Sequence, residues 1–579
     1  MIRKLAQSVR EYKKLTILSP LFVMLEVIIE VLIPFQMSKI IDNGIAKGDM
    51  AYIRNSGYLL VLATLASLTF GVLSGTFSAK ASTGFATNVR RDMYHNIQDF
   101  SYSNIDTFSV SSLITRLTTD VTNLQNSFQM LIRILFRAPL MLVFSLIMAL
   151  GINLRLSLVF LAAIPFLGIG LFLIINKAHP IFERVFKTYD RLNNVVQENL
   201  SGIRVVKSYV REEHEIEKFK RTSEKIYADF SKAEKILALN NPLMQFAIYT
   251  SILLLSWLGA KMVVSDTLTT GQLMSLLTYA MQILMSLMMM SMVFVMIIIS
   301  RASAERVVAV LNEKSDLHNN ENPVYEIPDG SLSFDQVDFS YSHDPEKLAL
   351  KNVTFSIHAG ETIGIIGGTG SGKTTLVQLI PRLYDVTNGT VTVGGIDVRN
   401  YDLYTLRSQV GMVLQKNTLF SGTIKDNLRW GNLSATDEEL IQAARLAQAD
   451  EFIQNLPDGY DTFLEEGGTN VSGGQKQRLC IARALVKKPK ILILDDSTSA
   501  VDTRTESKIR HAFAEEIPSI TKFIIAQRIS SVEAADKIIV MDNGMINAIG
   551  THAELLASNT IYQEVYYSQI KGGNLHDEA

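Results

Sequence analysis

The sequence predicts two parts of different class: an all-α transmembrane domain of six helices, then an α/β domain. Three observations carry this. Apolar stretches long enough to cross a bilayer recur from Leu15 to about Arg301, a spanning helix needing about 20 mainly apolar residues. After that stretch, short β-rich runs alternate with helical ones, the pattern of an α/β fold. The 579 residues are 47 % hydrophobic and only 19 % charged, against about 25 % charged in an ordinary soluble domain, and mean hydropathy is +0.19. This composition excludes a disordered, collagen-like or coiled-coil chain and argues against a wholly soluble one. The 55 basic and 57 acidic residues leave a net charge of −2, which gives no sign of nucleic-acid binding. The single cysteine, Cys480, excludes an intramolecular disulfide framework and a multi-cysteine zinc site. No cleavable signal peptide is expected, because the first apolar run is long and no small-residue cleavage site follows it.

The six spans are read at 15–41, 57–80, 129–152, 156–178, 238–262 and 270–299, with Gly151-Ile152-Asn153-Leu154-Arg155 as a polar turn between the third and fourth. Two long charged, helix-like segments separate spans, at about 81–128 and 179–237. The second carries twelve Lys and Arg residues from Arg184 to Lys235, and Arg3, Lys4, Arg10, Lys13 and Lys14 precede the first span. The positive-inside rule places the N-terminus, both long segments and everything after the sixth span in the cytoplasm. The transmembrane domain is expected over 1–311. Residues 312–330, with Asn319-Asn320-Glu321-Asn322-Pro323 and Pro328-Asp329-Gly330, have the composition of a linker. The α/β domain follows over 331–579. Strands are expected at Ser331–Phe339, Thr362–Ile366 and Lys490–Leu494, the last apolar throughout as in a parallel sheet buried on both faces.

Gly367-Gly368-Thr369-Gly370-Ser371-Gly372-Lys373-Thr374 fits G-x-x-x-x-G-K-[ST], after the apolar run Ile363–Ile366 and before a helical stretch beginning Thr375-Leu376. Strand, loop and helix in that order make this a P-loop, and the second part an α/β P-loop nucleotide-binding domain. Its glycines let backbone N–H groups close around phosphate oxygens. Lys373 is placed to reach the β- and γ-phosphates, and Thr374 to ligate Mg²⁺. Asp495 ends the apolar run Ile491–Leu494 as a second Mg²⁺ ligand, direct or through water. The expected cofactors are therefore ATP and Mg²⁺.

Val471-Ser472-Gly473-Gly474-Gln475-Lys476-Gln477-Arg478 resembles the signature sequence of ATP-binding-cassette (ABC) proteins. Together with the six spans it makes essentially the whole chain similar to a half-transporter of the type IV ABC exporter family. The resemblance implies that Tyr341 stacks on adenine, that Thr375 joins the P-loop residues, and that Gln415 is the Q-loop glutamine contacting Mg²⁺. It makes Ser499-Ala500-Val501-Asp502 the D-loop. Phe420-Ser421-Gly422-Thr423-Ile424, Asn427-Leu428 and Gly202-Ile203-Arg204-Val205-Val206-Lys207 also resemble the exporters. It further implies that Ser472, Gly473, Gly474 and Gln475 face the ATP of a second subunit, so that two cassettes close head-to-tail around two nucleotides. Ser472 and the N–H groups of a helix start suit that, since both donate to phosphate oxygens. Movement is expected to pass through segments near 119–126 and 200–210.

Three places depart from the family. Competent cassettes carry Glu after the Walker-B aspartate, where this chain has Asp496, and His where it has Gln527. Shortening the acid by one methylene withdraws the carboxylate from the water it should polarise, and about 1 Å of misplacement costs on the order of 10²-fold in rate. An amide still donates a hydrogen bond but cannot become an imidazolium. Gly467-Gly468-Thr469-Asn470 departs from the usual exporter X-loop. The chain thus resembles the degenerate-site subunit of heterodimeric bacterial multidrug exporters. Its expected partner is a second half-transporter carrying the catalytic Glu and switch His. The alternative is an active homodimer that tolerates both substitutions.

Within the spans, Glu26 and Glu30 share a face at i, i+4 spacing. Intramembrane carboxylates normally face the bundle interior or a cavity. They are read as a contact for cationic cargo or an outer gate, with a structural hydrogen bond as the alternative. Arg133 and Arg137 are read mainly as snorkelling or cavity-lining side chains. The sixth span is rich in methionine, including Met285 and Met289, which suits a pocket that repacks around varied cargo. A lipid-facing or core stripe is the alternative, and Gln245, Tyr249, Tyr279 and Gln282 are possible further contacts. The resemblance, with the methionine-rich span, implies hydrophobic or cationic small-molecule export at a plasma membrane, with lipids as surroundings, against a lipid flippase or a non-transporting regulator. Cys480 is read as a small buried hydrophobe, and no metal role falls to His358 or His552.

Overall fold

The computed structural model describes residues 1–342, 344–497 and 500–574. They form two compact units, Met1–Gln98 with Val110–Glu313, and Asp99–Ser109 with Lys314 onward.

The first unit is all helix: α1 (Lys13–Lys39), α2 (Met50–Gln98), α3 (Val121–Ile152), α4 (Leu154–Ser201), α5 (Glu212–Leu237), α6 (Asn240–Val264) and α7 (Thr270–Asn312). It contains six helical segments long and apolar enough to cross a membrane. The charged segments are not loops between spans but continuations of them, so α2 runs 49 residues and α4 runs 48. The turn between α3 and α4 falls where the sequence places it: Asn153 leaves helical geometry and its side chain caps α4 by accepting from the Leu156 N–H. Thr269 and Gln272 build a reciprocal capping box that starts α7. Val23, Val27 and Val31 point one stripe of α1 into a core with Met141, Phe160, Leu255, Leu276 and Ile283. Small residues bring α1 and α2 close, the Ser19 hydroxyl donating to the Ser74 carbonyl at 3.2 Å. Close packing of this kind replaces the hydrophobic effect where the surroundings are lipid.

Residues 119–126 are tied within the first unit. Asp120 is buried at a π-helical turn (Arg116–Asp120), accepts from Ser303 at 2.9 Å and pairs with Arg306 at 2.5 Å, which ties the start of α3 to α7. Asp99–Ser109 groups with the second unit. Ser101 caps its short helix, Asp106 accepts from Tyr384 at 2.7 Å, and Ser103 donates to Asp316 at 2.7 Å. Around 200–210 a short helix (Ile203–Ser208) joins α4 to α5, with Leu200, Val205, Tyr209 and Val210 exposed.

Two larger sheets build the second unit, beside a two-stranded pairing of Gly422–Thr423 with Phe463–Leu464. A four-stranded antiparallel sheet is ordered β2 (Leu350–Ile357), β1 (Leu332–Phe339), β4 (Asn388–Val393), β5 (Ile396–Asp397). The six-stranded sheet is ordered β10 (Met545–Gly550), β9 (Lys537–Asp542), β3 (Thr362–Gly367), β8 (Thr521–Ile525), β7 (Ile491–Asp495), β6 (Val410–Val413). It is parallel apart from the β9–β10 hairpin. Every residue of β7 and β8 is buried. The stretch read as a linker is partly built into this unit: Ile327 is buried in the core, and Val324 pairs with Tyr401. A few apolar residues within the polar run anchor it there.

Candidate functional site

The ends of β3, β7 and β8 bring together residues far apart in sequence. β3 lies between β9 and β8, and β7 lies beside β8, so the loops that leave these strands in parallel meet at one edge. The loop after β3 is the P-loop, and helix α8 (Lys373–Gln378) follows it directly. Gly370 and Gly372 sit at φ +82° and +94°, a region that favours glycine. A Cβ on Gly367 would lie 2.3 Å from the Met541 carbonyl, so that glycine is required by close packing of β3 on β9. Lys373 Nζ donates to the Gly367 and Gly368 carbonyls at 2.8 and 2.7 Å. Burial lowers the pKa of Lys373, and the neighbouring Asp495 and Asp496 oppose that.

Asp495 is buried at the end of β7, and burial raises its pKa against the opposing hydrogen bond from Thr374. Thr374 and Asp495 thus stand together as two hard oxygen donors, which fits Mg²⁺. Among the described residues no group of three or more His, Cys, Asp or Glu is gathered to hold a metal, so nucleotide phosphate and water would complete its coordination. Asp496 follows at φ +48°. Its pKa is also raised by burial, and hydrogen bonds from Gln527 and Gln415 oppose the rise. The Gln527 amide donates to Asp496 Oδ2 at 2.9 Å. Gln415 thus reaches Asp496 from the loop after β6. The loops after β6, β7 and β8 converge on one carboxylate.

Tyr341, just past β1, is half exposed, and its hydroxyl lies 2.9 Å from Thr375 and 3.2 Å from Gln378. It lines a cavity of about 560 Å³ with Gly370, Gly372, Lys373, Thr374 and Thr375. The same cavity is lined by Leu348, Lys351, Asn543 and Gly544, which the sequence reading did not single out. Asn543-Gly544 had a signal. An Asn-Gly pair between β runs marks a two-residue hairpin turn, and both residues have positive φ between β9 and β10.

The signature residues Ser472 to Gln475 do not line that cavity. Ser472 caps α9 (Gly473–Val486), accepting from the Gln475 N–H at 3.3 Å while its own N–H donates to the Gln475 side chain at 2.9 Å. A Cβ on Gly474 would come 2.8 Å from the Ala500 carbonyl, so the D-loop backbone packs on the start of the signature helix. Ser499 of the expected D-loop lies outside the described residues. In the X-loop, Gly467 and Gly468 both have positive φ. Cys480 is buried in the core.

In the first unit, Arg137 does not snorkel. Its guanidinium pairs with Glu26 at 2.5 Å and Glu30 at 2.6 Å. An arginine fork satisfies two carboxylates a helical turn apart more cheaply than three ions reaching for water inside a bilayer. Gly71 of α2 makes room for Glu26, whose Oε1 would lie 3.0 Å from an added Cβ. Tyr279 and Gln282 belong to the packing: the Tyr279 hydroxyl donates to the Val31 carbonyl at 2.8 Å, and Gln282 accepts from Ser145 at 2.9 Å. Gln245 and Tyr249 are exposed. Met281, Met285, Met288 and Met292, at i, i+4, i+7 and i+11, form one exposed stripe of α7, with Met289 beside it.

Comparison with known proteins agrees with this geometry. Residues 16–302 match the family described as ABC transporter transmembrane region, and residues 350–499 match ABC transporter. The chain is 37 % identical over 569 residues to the uncharacterized ABC transporter ATP-binding protein YfiB of Bacillus subtilis, covering 98 % of this chain and 99 % of that protein. It is 33 % identical over 485 residues to the ATP-dependent lipid A-core flippase of Syntrophus aciditrophicus, covering 83 % and 80 %. Its fold matches that of a bacterial Atm1-family ABC exporter with ATP bound at a TM-score of 0.83 and 24 % identity, covering 96 % and 99 %. Six apolar helical segments joined to one P-loop cassette, over a length shared almost end to end with such relatives, make this chain a member of the ABC transporter family, an ATPase-coupled half-transporter.

Proposed function

We propose that the chain exports amphipathic drugs or other small molecules as one half of a heterodimer. Its own P-loop site binds Mg·ATP but turns it over poorly, and its signature completes the competent site of a partner carrying the catalytic Glu and switch His. The observation that carries this reading is the bonding of Asp496 to the amides of Gln527 and Gln415. Carboxylate oxygens already occupied by two amide donors are less free to accept the proton of an attacking water, although burial raises the pKa of the group. Asp496 is also one methylene shorter than the residue that normally serves. The binding parts beside it are complete: Lys373, the P-loop backbone, and the Thr374–Asp495 pair that would hold Mg²⁺. Bound Mg²⁺ would offset charge on the β- and γ-phosphates. In the partner's site, the Ser472 hydroxyl and the N–H groups of Gly473 and Gly474 would donate to the γ-phosphate.

The exposed methionine stripe of α7 supports a repacking cargo surface. The basic residues before α1 and along α4 and α5 support a cassette on the cytoplasmic face of a bacterial plasma membrane. Lipid transport is the second reading, favoured by the flippase relative. Of the two arginines that would serve it, Arg137 is already committed to Glu26 and Glu30, which leaves Arg133, lying against Gly75.

The test is ATPase activity of the purified chain alone, then co-purified with candidate half-transporters. Negligible activity alone and robust activity with one partner is expected. Replacing that partner's catalytic Glu should nearly abolish turnover, and Asp496→Glu with Gln527→His should add a second working site. Robust activity of the chain alone would replace the heterodimer with a homodimer. Stimulation by lipids and not by drugs would favour the second reading.

A further inference from the structure

The loop carrying Gln527 is held from outside the nucleotide-binding motifs. Helix α10 (Thr560–Asn574) brings Gln569 against it. The Gln569 side chain donates to the Gln527 carbonyl at 2.8 Å and accepts from the Ile529 N–H at 2.9 Å. One carboxamide thus bridges both sides of residue 528, as a neighbouring strand would, just where the chain leaves β8. A second fastening lies further along. His552 Nδ1 is 2.7 Å from the Tyr562 hydroxyl, and its Nε2 is 3.6 Å from Glu533. Ile529 and Val532 are buried in the core cluster against which Ile561, Val565 and Tyr566 pack. The segment 527–533 is therefore sewn to the C-terminal helices at both ends. Asp496, the group that Gln527 reaches, sits at φ +48°, a region few residues other than glycine adopt and Asp enters more readily than most. A carbonyl and an N–H held one residue either side of Arg528 leave the Gln527 side chain little freedom to leave it.

We propose that Gln569 is a positioning residue for this chain's own nucleotide site: it fixes the backbone at 527–529 so that the Gln527 amide stays beside Asp496, where a γ-phosphate is distinguished from its absence. The inference rests on the reading of Gln527 as the switch position. The relation lies within one chain, so the full-length chain in lipid nanodiscs suffices, with Mg·ATP and Mg·ADP as probes. Affinities for both are measured in wild type, Gln569→Met, Gln569→Glu and Gln527→Ala. A hydrogen bond to a charged group changes affinity by roughly ten- to a hundredfold, so Gln527→Ala should lower the ATP-to-ADP affinity ratio about tenfold. Gln569→Met keeps the packing volume and loses both hydrogen bonds. It should lower the ratio about threefold, with ADP affinity and melting temperature unchanged, and speed amide exchange at 527–530. Gln569→Glu keeps the acceptor for Ile529 and loses the donor to Gln527. It should fall between wild type and Gln569→Met, and it reads the same question if Gln569→Met folds poorly. A wild-type ratio in Gln569→Met, beside a lowered one in Gln527→Ala, would overturn the positioning role and leave the switch reading standing. A wild-type ratio in Gln527→Ala itself would overturn the switch reading, and the positioning role with it.

Discussion

Two places in the chain set one cation among two carboxylates, and they do so in opposite ways. In the cassette, Lys373 stands near Asp495 and Asp496 yet donates to two neutral backbone carbonyls. Its charge is left for a phosphate, and the carboxylates are engaged by Thr374, Gln527 and Gln415. Among the helices, Arg137 donates directly to Glu26 and Glu30, and its charge is spent. A site that must receive a charged ligand keeps its ions partnered by neutral groups. A cluster that must sit inside a bilayer pairs its ions with one another. The contrast makes a structural brace the better account of Arg137, whereas the P-loop lysine is poised for binding.

The contrast breaks most visibly at Arg137. Arg137→Ala would leave two carboxylates facing each other with no cation. Stranding a buried ion costs about 3–5 kcal/mol. Because Arg137 and Glu30 retain a fifth to a third of their exposure, we expect about 2–3 kcal/mol here. Glu26→Gln, Glu30→Gln and Arg137→Met together should recover most of that, since replacing a whole buried ion cluster is often near neutral. Thermal unfolding of the chain in nanodiscs measures both. If the triple variant keeps its stability but loses cargo-stimulated ATPase activity, the cluster is a cargo contact and not only a brace.

How much of this was legible beforehand follows from the same physics. P-loop chemistry depends on backbone reach and on a few fixed side chains, so Gly367 to Thr374 and Asp495 announce themselves in order along the chain. The partners of Glu26 do not, because a helix face has no fixed rotation until its neighbours pack, and Arg137 lies 111 residues away. The same holds for Tyr279, which reads as a cargo contact but is taken by the Val31 carbonyl. The segment 99–109 was passed over for a related reason. Nothing in its composition says which of two units its short capped helix joins, and Tyr384, whose hydroxyl donates to Asp106, is 278 positions away. Gln569 was missed because a lone glutamine on the exposed face of a helix carries no pattern.

Acidification sharpens the comparison next. Burial raises the pKa of Asp495, so the apo fold favours the protonated form relative to the unfolded chain. That contribution is present at low pH and is lost as pH rises through the raised value. Mg·ATP binding has the opposite sign, since it needs the carboxylate. Its affinity should start to fall at a pH above the ordinary aspartate range, approaching tenfold per unit for one proton. Affinity for ATP in excess EDTA should be nearly flat over the same window. Equal pH dependence with and without Mg²⁺ would mean that Asp495 does not hold the metal.

The smallest effect separates the two duties of Ser472. As the cap of α9 it contributes about 1 kcal/mol, and Ser472→Ala should cost that much. Asn and Asp cap about as well as Ser, so Ser472→Asn and Ser472→Asp should leave the start of α9 intact, with amide exchange at 473–476 unchanged. If Ser472 also faces a partner's γ-phosphate, the two variants part company in the assembled transporter. The amide of Asn can still donate to a phosphate oxygen, and the carboxylate of Asp repels it. Turnover that survives Asn and fails with Asp, at equal helix protection, places this residue on the partner's nucleotide. Equal turnover in both confines it to the cap.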